Sequence, residues 1–438
     1  MQTGEVLRRT AYNTLDKLHG GGKERLLEAN KKRFLTGISP DYEERRVRKL
    51  LDYAREHCAF YANAGESLVD FPVMKKTDYV DHREELLSDE YAMRVEELSR
   101  LTTSGSTGVP FFVYADREKM EHVYSNMLTV FELNGFRLGM RRAEFRVWIE
   151  GKNVISKKKS FVNNLMMYDI SNMGDEALAG ICQRLKKEKI QAIVAYSSAL
   201  TALVGYIQKN NVDISKWSVE FIFSMGEALP KATEEAIREV FGFPPVLSYG
   251  NNENGFIAAN LQGVDRYIVD LFNYKIEILK LDSDEPVEEG ELGRIVVTDY
   301  YNKAFPMIRY DTGDTGKYIE VIDERGRKHG YFTEIYGRRG SLLFNTKGEP
   351  LSIHCFMNVL IDLESTVRQA KCIQWERTRY EILVNGEEGK VDEESLVASY
   401  RRYLGDDAEI TVTYVDEIPN QASGKHLVCE NRCPEYQQ

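Results

Sequence analysis

Between about residue 143 and residue 250, short apolar runs alternate with amphipathic stretches, and this alternation constrains the fold more than any other feature of the chain. "FRVWIEG" is a short apolar run ending in glycine. "QAIVAYSSALTALVGYIQKNN" reads as strand, turn and amphipathic helix, and "VEFIFSMGEALPKATEEAIREVFG" repeats that order. In the second helix Pro230 stands near the first position, Ala232, Ala236, Ile237, Val240 and Phe241 share one face, and Gly242 is a stop signal. "PPVLSYGNNENG" is then another short strand running into a polar loop. Such alternation implies a parallel sheet covered by helices, with functional loops at the carboxyl ends of the strands.

The flanks read differently. The first hundred residues are mostly helical in pattern, and "FPVMKKTDYVDHREELL" looks like a turn feeding a further helix. After residue 265 the pattern turns β-rich, with "KIEILKL" and "RIVVTDY" as strands around the turn cluster "DSDEPVEEGELG". Past Gly337, "RYEILVNG", "DEESLVASYRRYLG" and "AEITVTYVDEIP" give strand, helix and strand, an α+β module. The expected organisation is a large domain over 1–337, a hinge at 338–340 around "YGRRGSLL", and a small domain over 341–438. A chain of 438 residues is long enough for both.

Composition narrows the function. The formal net charge of −11 argues against nucleic acid or an anionic membrane as the main partner. The longest apolar stretches are too short to span a bilayer, and the first residues have no apolar core of the kind a signal peptide needs. Six cysteines are too sparse for a disulfide framework, so a reducing cytosol is the default expectation. Cys429 and Cys433, with His426 nearby, lack a second pair of ligands at metal-site spacing and read as ordinary thiols.

Chemistry concentrates in a few loops. "LTTSGSTGVP" at 101–110 is a run of hydroxyls and glycines. Glycines let the backbone approach an anion, and successive N–H groups form a concave nest for it. A Walker A loop would end in Gly-Lys-Ser/Thr, but Val109 and Pro110 follow Gly108, so the usual lysine is missing. Alone, the stretch is as consistent with a surface loop. "SYGNNENG" places an aromatic ring, a glycine and one carboxylate, Glu253, after a strand: a ring to stack on a base and an oxygen ligand for Mg²⁺. "RYDTGDTG" offers Asp311 and Asp314 in a tight turn, suited to ribose hydroxyls or to nothing but the turn itself. "YGRRG" supplies Arg338, and "IPNQASGKH" supplies Lys425 on a glycine-bearing loop.

Taken in order, "LTTSGSTGVP", "GEALP", "SYGNNENG", "RYDTGD", "YGRRG" and "NQASGKH" resemble the core motifs of the adenylate-forming superfamily, which holds acyl- and aryl-CoA synthetases, peptide-synthetase adenylation domains and luciferases. The short chain and "FPVMKKTDY" resemble the phenylacetate–CoA ligase branch, which includes proteins of capsular polysaccharide clusters. The resemblance implies a fold of parallel sheets covered by helices, a β-rich subdomain and a small mobile C-terminal α+β domain. It implies activation of a carboxylic acid with ATP and Mg²⁺ to an acyl-adenylate, release of pyrophosphate, and acyl transfer to a thiol, expected to be coenzyme A. Transfer to an amine or hydroxyl, adenylyl transfer to a cofactor hydroxyl, and a non-catalytic nucleotide-binding protein are the alternatives. A monomer or homodimer in the cytoplasm is expected.

Position by position, the resemblance assigns the phosphates to Thr102, Thr103, Ser104, Gly105, Ser106, Thr107 and Gly108. Adenine and ribose fall to Tyr249, Gly250, Asn251, Asp314 and Arg338, and Mg²⁺ to Glu253. Lys425 bridges the carboxylate and the α-phosphate, supplying from another domain the cation that the loop lacks. The acyl pocket is expected at Tyr196, Ser197, Ser198, Met225, Gly226 and Glu227, each also consistent with plain strand-end packing. Two departures stand out: Gly340 occupies the family's pivot position, and Asn252 precedes the metal-binding acid where a hydroxyl is usual. His122 and His354 are not expected to act as bases.

Overall fold

The computed structural model describes residues 3–18, 20–103, 111–146, 148, 154–170, 175–226, 228–261, 264, 266–338, 343–348, 350–351, 367–386, 389–418 and 429–436. At its centre is an eleven-stranded sheet whose two halves differ in direction. A hairpin, β1 (Ser99–Thr103) and β2 (Phe111–Ala115), precedes it. The parallel half comprises β3 (Arg142–Arg146), β4 (Leu165–Asp169), β5 (Ala192–Tyr196), β6 (Phe221–Met225) and β7 (Val246–Asn251), in the order β4-β3-β5-β6-β7. Helices Asp175–Lys187, Ser197–Lys209 and Lys231–Phe241 follow β4, β5 and β6, as the alternation requires. Both faces of these strands are covered, so they read as continuous apolar runs. Ile193, Ala195 and Ile222 pack against Leu178, Leu203 and Ile237 on one side; Val194, Phe221 and Phe223 pack against Leu128, Phe131 and Phe34 on the other.

At β7 the sheet changes character. β8 (Gly255–Ala259) returns antiparallel to β7, followed by β9 (Tyr267–Val269), β10 (Tyr274–Leu279), β11 (Leu292–Asp299), β12 (Tyr310–Ile322) and β13 (Lys328–Arg338). Their order outward from β7 is β8-β9-β13-β12-β11-β10, each pair antiparallel. "RYDTGDTG" is therefore not the tight turn expected from sequence: it opens the thirteen-residue β12, with Gly313 at φ +76° and a register shift at Asp314/Thr315. A bulge satisfies the same Asp/Gly composition as a turn while keeping the strand paired on both edges.

Toward the C-terminus, β14 (Leu343–Phe344) pairs with β15 (Pro350–Leu351). A four-stranded sheet in the order β18-β17-β16-β19 holds β16 (Val367–Gln374), β17 (Arg379–Gly386), β18 (Glu409–Tyr414) and β19 (Cys429–Asn431). Helix Glu393–Leu404, capped by Asp392, buries Leu396, Tyr400 and Leu404 against it. This is a separate apolar core, as the sequence predicts for an α+β module.

Candidate active site

The turn between β7 and β8 is held by close backbone approach and by hydrogen bonds from several side chains. Gly250 opens it because a Cβ there would lie 2.2 Å from the Gly255 carbonyl oxygen, and Gly255 closes it at φ +94°. Asn251 Oδ1 accepts from the Asn254 backbone N–H at 2.7 Å. The Asn254 carbonyl accepts from Lys119 Nζ at 2.6 Å and from Tyr274 Oη at 2.5 Å. Lys119 and Asp299 are both 1 % exposed and form an ion pair of 2.5 Å. Lys119, Val123 and Asn126 lie on one face of helix Arg117–Leu133. Val123 lies under Gly255 and Asn126 Nδ2 donates to the Phe256 carbonyl at 2.6 Å. One helix face thus holds the turn in place.

Glu253 sits at the apex, 1 % exposed. Its Oε1 accepts from Tyr310 Oη at 2.9 Å and pairs with Lys76 Nζ at 2.8 Å. Its Oε2 is buried with no hydrogen-bond partner among the described residues, as are Asn251 Nδ2 and both amide atoms of Asn254. A buried carboxylate oxygen left without a donor is costly. It fits a Mg²⁺ ion, which binds through one or two carboxylates plus substrate phosphates rather than in an all-protein cage. Among the described residues no group of three or more His, Cys, Asp or Glu is placed to hold a metal by itself.

Lys76 is the residue that the sequence reading missed as a site group. Its segment runs beside β12 through the Met74↔Tyr310 bridge, and Tyr79 packs edge-on to Tyr310. Val113 and Tyr114 of the β1–β2 hairpin belong to the same core as Met74, Tyr79 and Tyr310. The β1–β2 pair and the segment that carries Lys76 are therefore built on one apolar cluster. The only signal in the sequence was the paired Lys75-Lys76 ahead of a hydroxyl-rich loop.

Of the expected phosphate group, Thr102 and Thr103 end β1, opposite Phe112 and Phe111; their side chains and residues Ser104, Gly105, Ser106, Thr107 and Gly108 lie outside the described residues. Tyr249 is buried, its ring edge-on to Phe332 at 5.6 Å. Its hydroxyl bonds to Asp314 Oδ2 at 2.9 Å and Thr312 Oγ1 at 3.2 Å. Burial and the Asp314 charge push that phenol well above its ordinary range, so it donates. Asp314 is directly opposite Arg338 in the β12–β13 register, which brings the two positions together; the Arg338 side chain is outside the description. Asp311 is instead paired with Arg294 at 2.8 Å. Lys425, Gly340 and His354 also lie outside the described residues.

At the expected acyl end, Tyr196 and Met225 are the half-buried last residues of β5 and β6, and Gly226 has φ +82°. Ser197 is fully buried, its hydroxyl 2.7 Å from Ser224 Oγ. The Ser198 side chain and Glu227 are not described. His122 is buried, bonded to Asn273 and stacked on Tyr301, and burial lowers its pKa to about 4. It is a neutral packing group.

No protein-family model matches the chain. Protein CapK of Staphylococcus aureus is 21% identical over 305 residues, covering 65% of this chain and 63% of CapK, so the chain spans less than two thirds of that relative. A phenylacetate-coenzyme A ligase of Thermus thermophilus is 24% identical over 321 residues, 69% of this chain and 70% of the ligase. Among solved structures, a 2-hydroxyisobutyryl-CoA ligase in the postadenylation state aligns with a TM-score of 0.66 at 17% identity, covering 90% of this chain and 89% of that one. The chain thus has the fold of that CoA ligase. In sequence the chain is similar to a phenylacetate-coenzyme A ligase and to CapK.

Proposed function

We propose that the protein activates a carboxylic acid with ATP and Mg²⁺ and passes the acyl group to a thiol, coenzyme A. In the first half-reaction a carboxylate oxygen attacks the α-phosphorus, the bond to the β-phosphate bridge breaks, and pyrophosphate leaves. Two anions meet in that step, so positive charge must be concentrated there. The observation that carries the reading is the Glu253 carboxylate, buried with one oxygen unpartnered among the described residues and the other held by Lys76 and Tyr310. Mg²⁺ bound at that free oxygen would neutralise the phosphates' developing charge. Lys76 holds the carboxylate's orientation and adds a second cation beside it. Asp314, oriented by Tyr249 and facing Arg338 in register, is the candidate ribose ligand. Lys425 would arrive from the small domain to complete the charge. Similarity to a phenylacetate-coenzyme A ligase and to the fold of a second CoA ligase favours coenzyme A as acceptor.

Carboxylate-dependent exchange of labelled pyrophosphate into ATP, without coenzyme A, tests the first step. Exchange with one class of acid is expected; no exchange with any acid, in protein that binds ATP, overturns adenylation. Stimulation of AMP release by coenzyme A, but not by hydroxylamine or simple thiols, tests the acceptor.

A further inference from the structure

Arg146 ends β3 at the carboxyl edge of the parallel half. Ala143 and Phe145 point into the core shared with Ile193 and Leu203. Glu144 and Arg146 therefore alternate onto the other face, which Val194, Phe223 and Met225 share with Leu128 and Phe131 of helix Arg117–Leu133. β5 lies between β3 and β6, yet Arg146 Nη2 reaches Met225 Sδ at 3.7 Å. The guanidinium thus crosses the end of β5, over the strand ends where the acyl group is expected.

Its partners leave it under-committed. Nε is 3.3 Å from Glu144 Oε2, while Arg142 Nη2 holds Oε1 of the same carboxylate at 2.9 Å. One carboxylate therefore serves two guanidiniums, and the Nη2 contact is to a thioether, a weak acceptor. Asp169 faces Arg146 across the β3–β4 pair, with its Oδ1 accepting from the Trp148 backbone N–H, but the guanidinium turns from it toward β6. Burial raises the pKa of Tyr124, which is bonded to Tyr12, and the neighbouring Arg142 opposes that rise. An unsubstituted hydrocarbon or aryl tail laid here would strip water from charged groups and return no hydrogen bond. A planar fork with open donors matches an anionic oxygen pair.

The spacing suits one small molecule. Ser224 pairs with Leu247, so Met225 is level with Ser248, three residues before Asn251 ends β7. At about 3.3 Å per residue along a strand and one strand spacing of about 4.8 Å sideways, Met225, which the guanidinium touches, lies on the order of 10 Å from the end of β7, where the turn that carries Glu253 begins. Resting on the adenylation reading, we propose that the acid activated here carries a second anionic group bound by Arg146, as in a small dicarboxylate. Its one end is activated beside Glu253 and its other end is held by the guanidinium at the β5 edge.

The test is pyrophosphate exchange without coenzyme A, using size-matched pairs: adipate against hexanoate, and 4-carboxyphenylacetate against 4-methylphenylacetate. The wild-type protein is expected to favour the dianionic member by at least 30-fold in kcat/KM. Arg146→Met should shrink that ratio at least 30-fold through the KM for the acid, and Arg146→Lys should retain part of it. A preference for the neutral members, or a ratio that Arg146→Met does not change, overturns the proposal while leaving adenylation intact. Exchange with no acid overturns both, so the two failures are distinguishable. Arg146 is 39% exposed, and the melting temperature of each variant checks that it folds.

Discussion

At the Glu253 turn, Lys119, Tyr274, Asn126 and Asn251 each hold a backbone group, and Gly250 and Gly255 admit the close approach. At the other end of the same sheet, Arg146, Tyr196 and Met225 stand on strand ends as half-buried side chains, tied by one shared carboxylate and a sulfur. The first region is fixed through its backbone by residues distant in sequence; the second is defined by single side chains on a rigid edge. A site held through its backbone tolerates little change, whereas one defined by single side chains can be rewritten one residue at a time.

Four experiments press on that difference. The largest effect should come from Lys119→Met, which strands the buried Asp299 carboxylate and is expected to cost about 3–5 kcal/mol in denaturant unfolding. Replacing both partners, as Lys119→Met with Asp299→Leu, should recover much of that stability but not the full exchange activity, because the Asn254 carbonyl still lacks one of its two donors. Glu253→Gln keeps the shape of the turn and should lower pyrophosphate exchange by about 100- to 1,000-fold with little change in melting temperature. An equal loss of stability would mean that Glu253 is a structural group.

The third experiment uses the buried network behind the turn, where His122 bonds to Asn273 and Asn273 to Asp270. Burial raises the Asp270 pKa to about 6, so between that pH and the ordinary carboxylate range the folded state binds more protons than the unfolded one. Its contribution to stability therefore grows as pH falls through 6. His122, held neutral to about pH 4, acts in the opposite sense, its contribution being lost as pH falls from about 6.5 to about 4. Asp270→Asn removes the compensating member, and relative to wild type it should lose roughly 2 kcal/mol on going from pH 6 to pH 4. A difference that does not vary with pH would contradict the assignment. The smallest effect is expected from Tyr274→Phe, which removes one of two donors to the Asn254 carbonyl at about 1 kcal/mol. The Mg²⁺ concentration for half-maximal exchange should rise severalfold at nearly constant melting temperature.

The strand–helix repeats, the β-rich stretch after residue 265 and the C-terminal α+β module were legible because each rests on local periodicity and punctuation. Glu253, Tyr249 and Asp314 were singled out because they stand in short contiguous motifs. Lys76 and Arg146 were not. Lys76 reaches Glu253 only because a bridge from Met74 to Tyr310 lays its segment against β12. Arg146 reaches Met225 only because β5, formed fifty residues later in the chain, inserts between β3 and β6. The Asp/Gly run of β12 misled for a related reason: its composition suits a turn, and pairing with both β11 and β13 makes it a bulged strand.

By itself, then, the chain's pattern determined the parallel half, the small second core and the short motifs that mark the candidate site, since periodicity and glycine placement act over a few residues. Only the tertiary structure decided which cations meet those loops, how one helix face holds the Glu253 turn, and which strand ends share a cleft. These depend on contacts between residues far apart in sequence, and on buried polar atoms that must find partners wherever the packed chain places them.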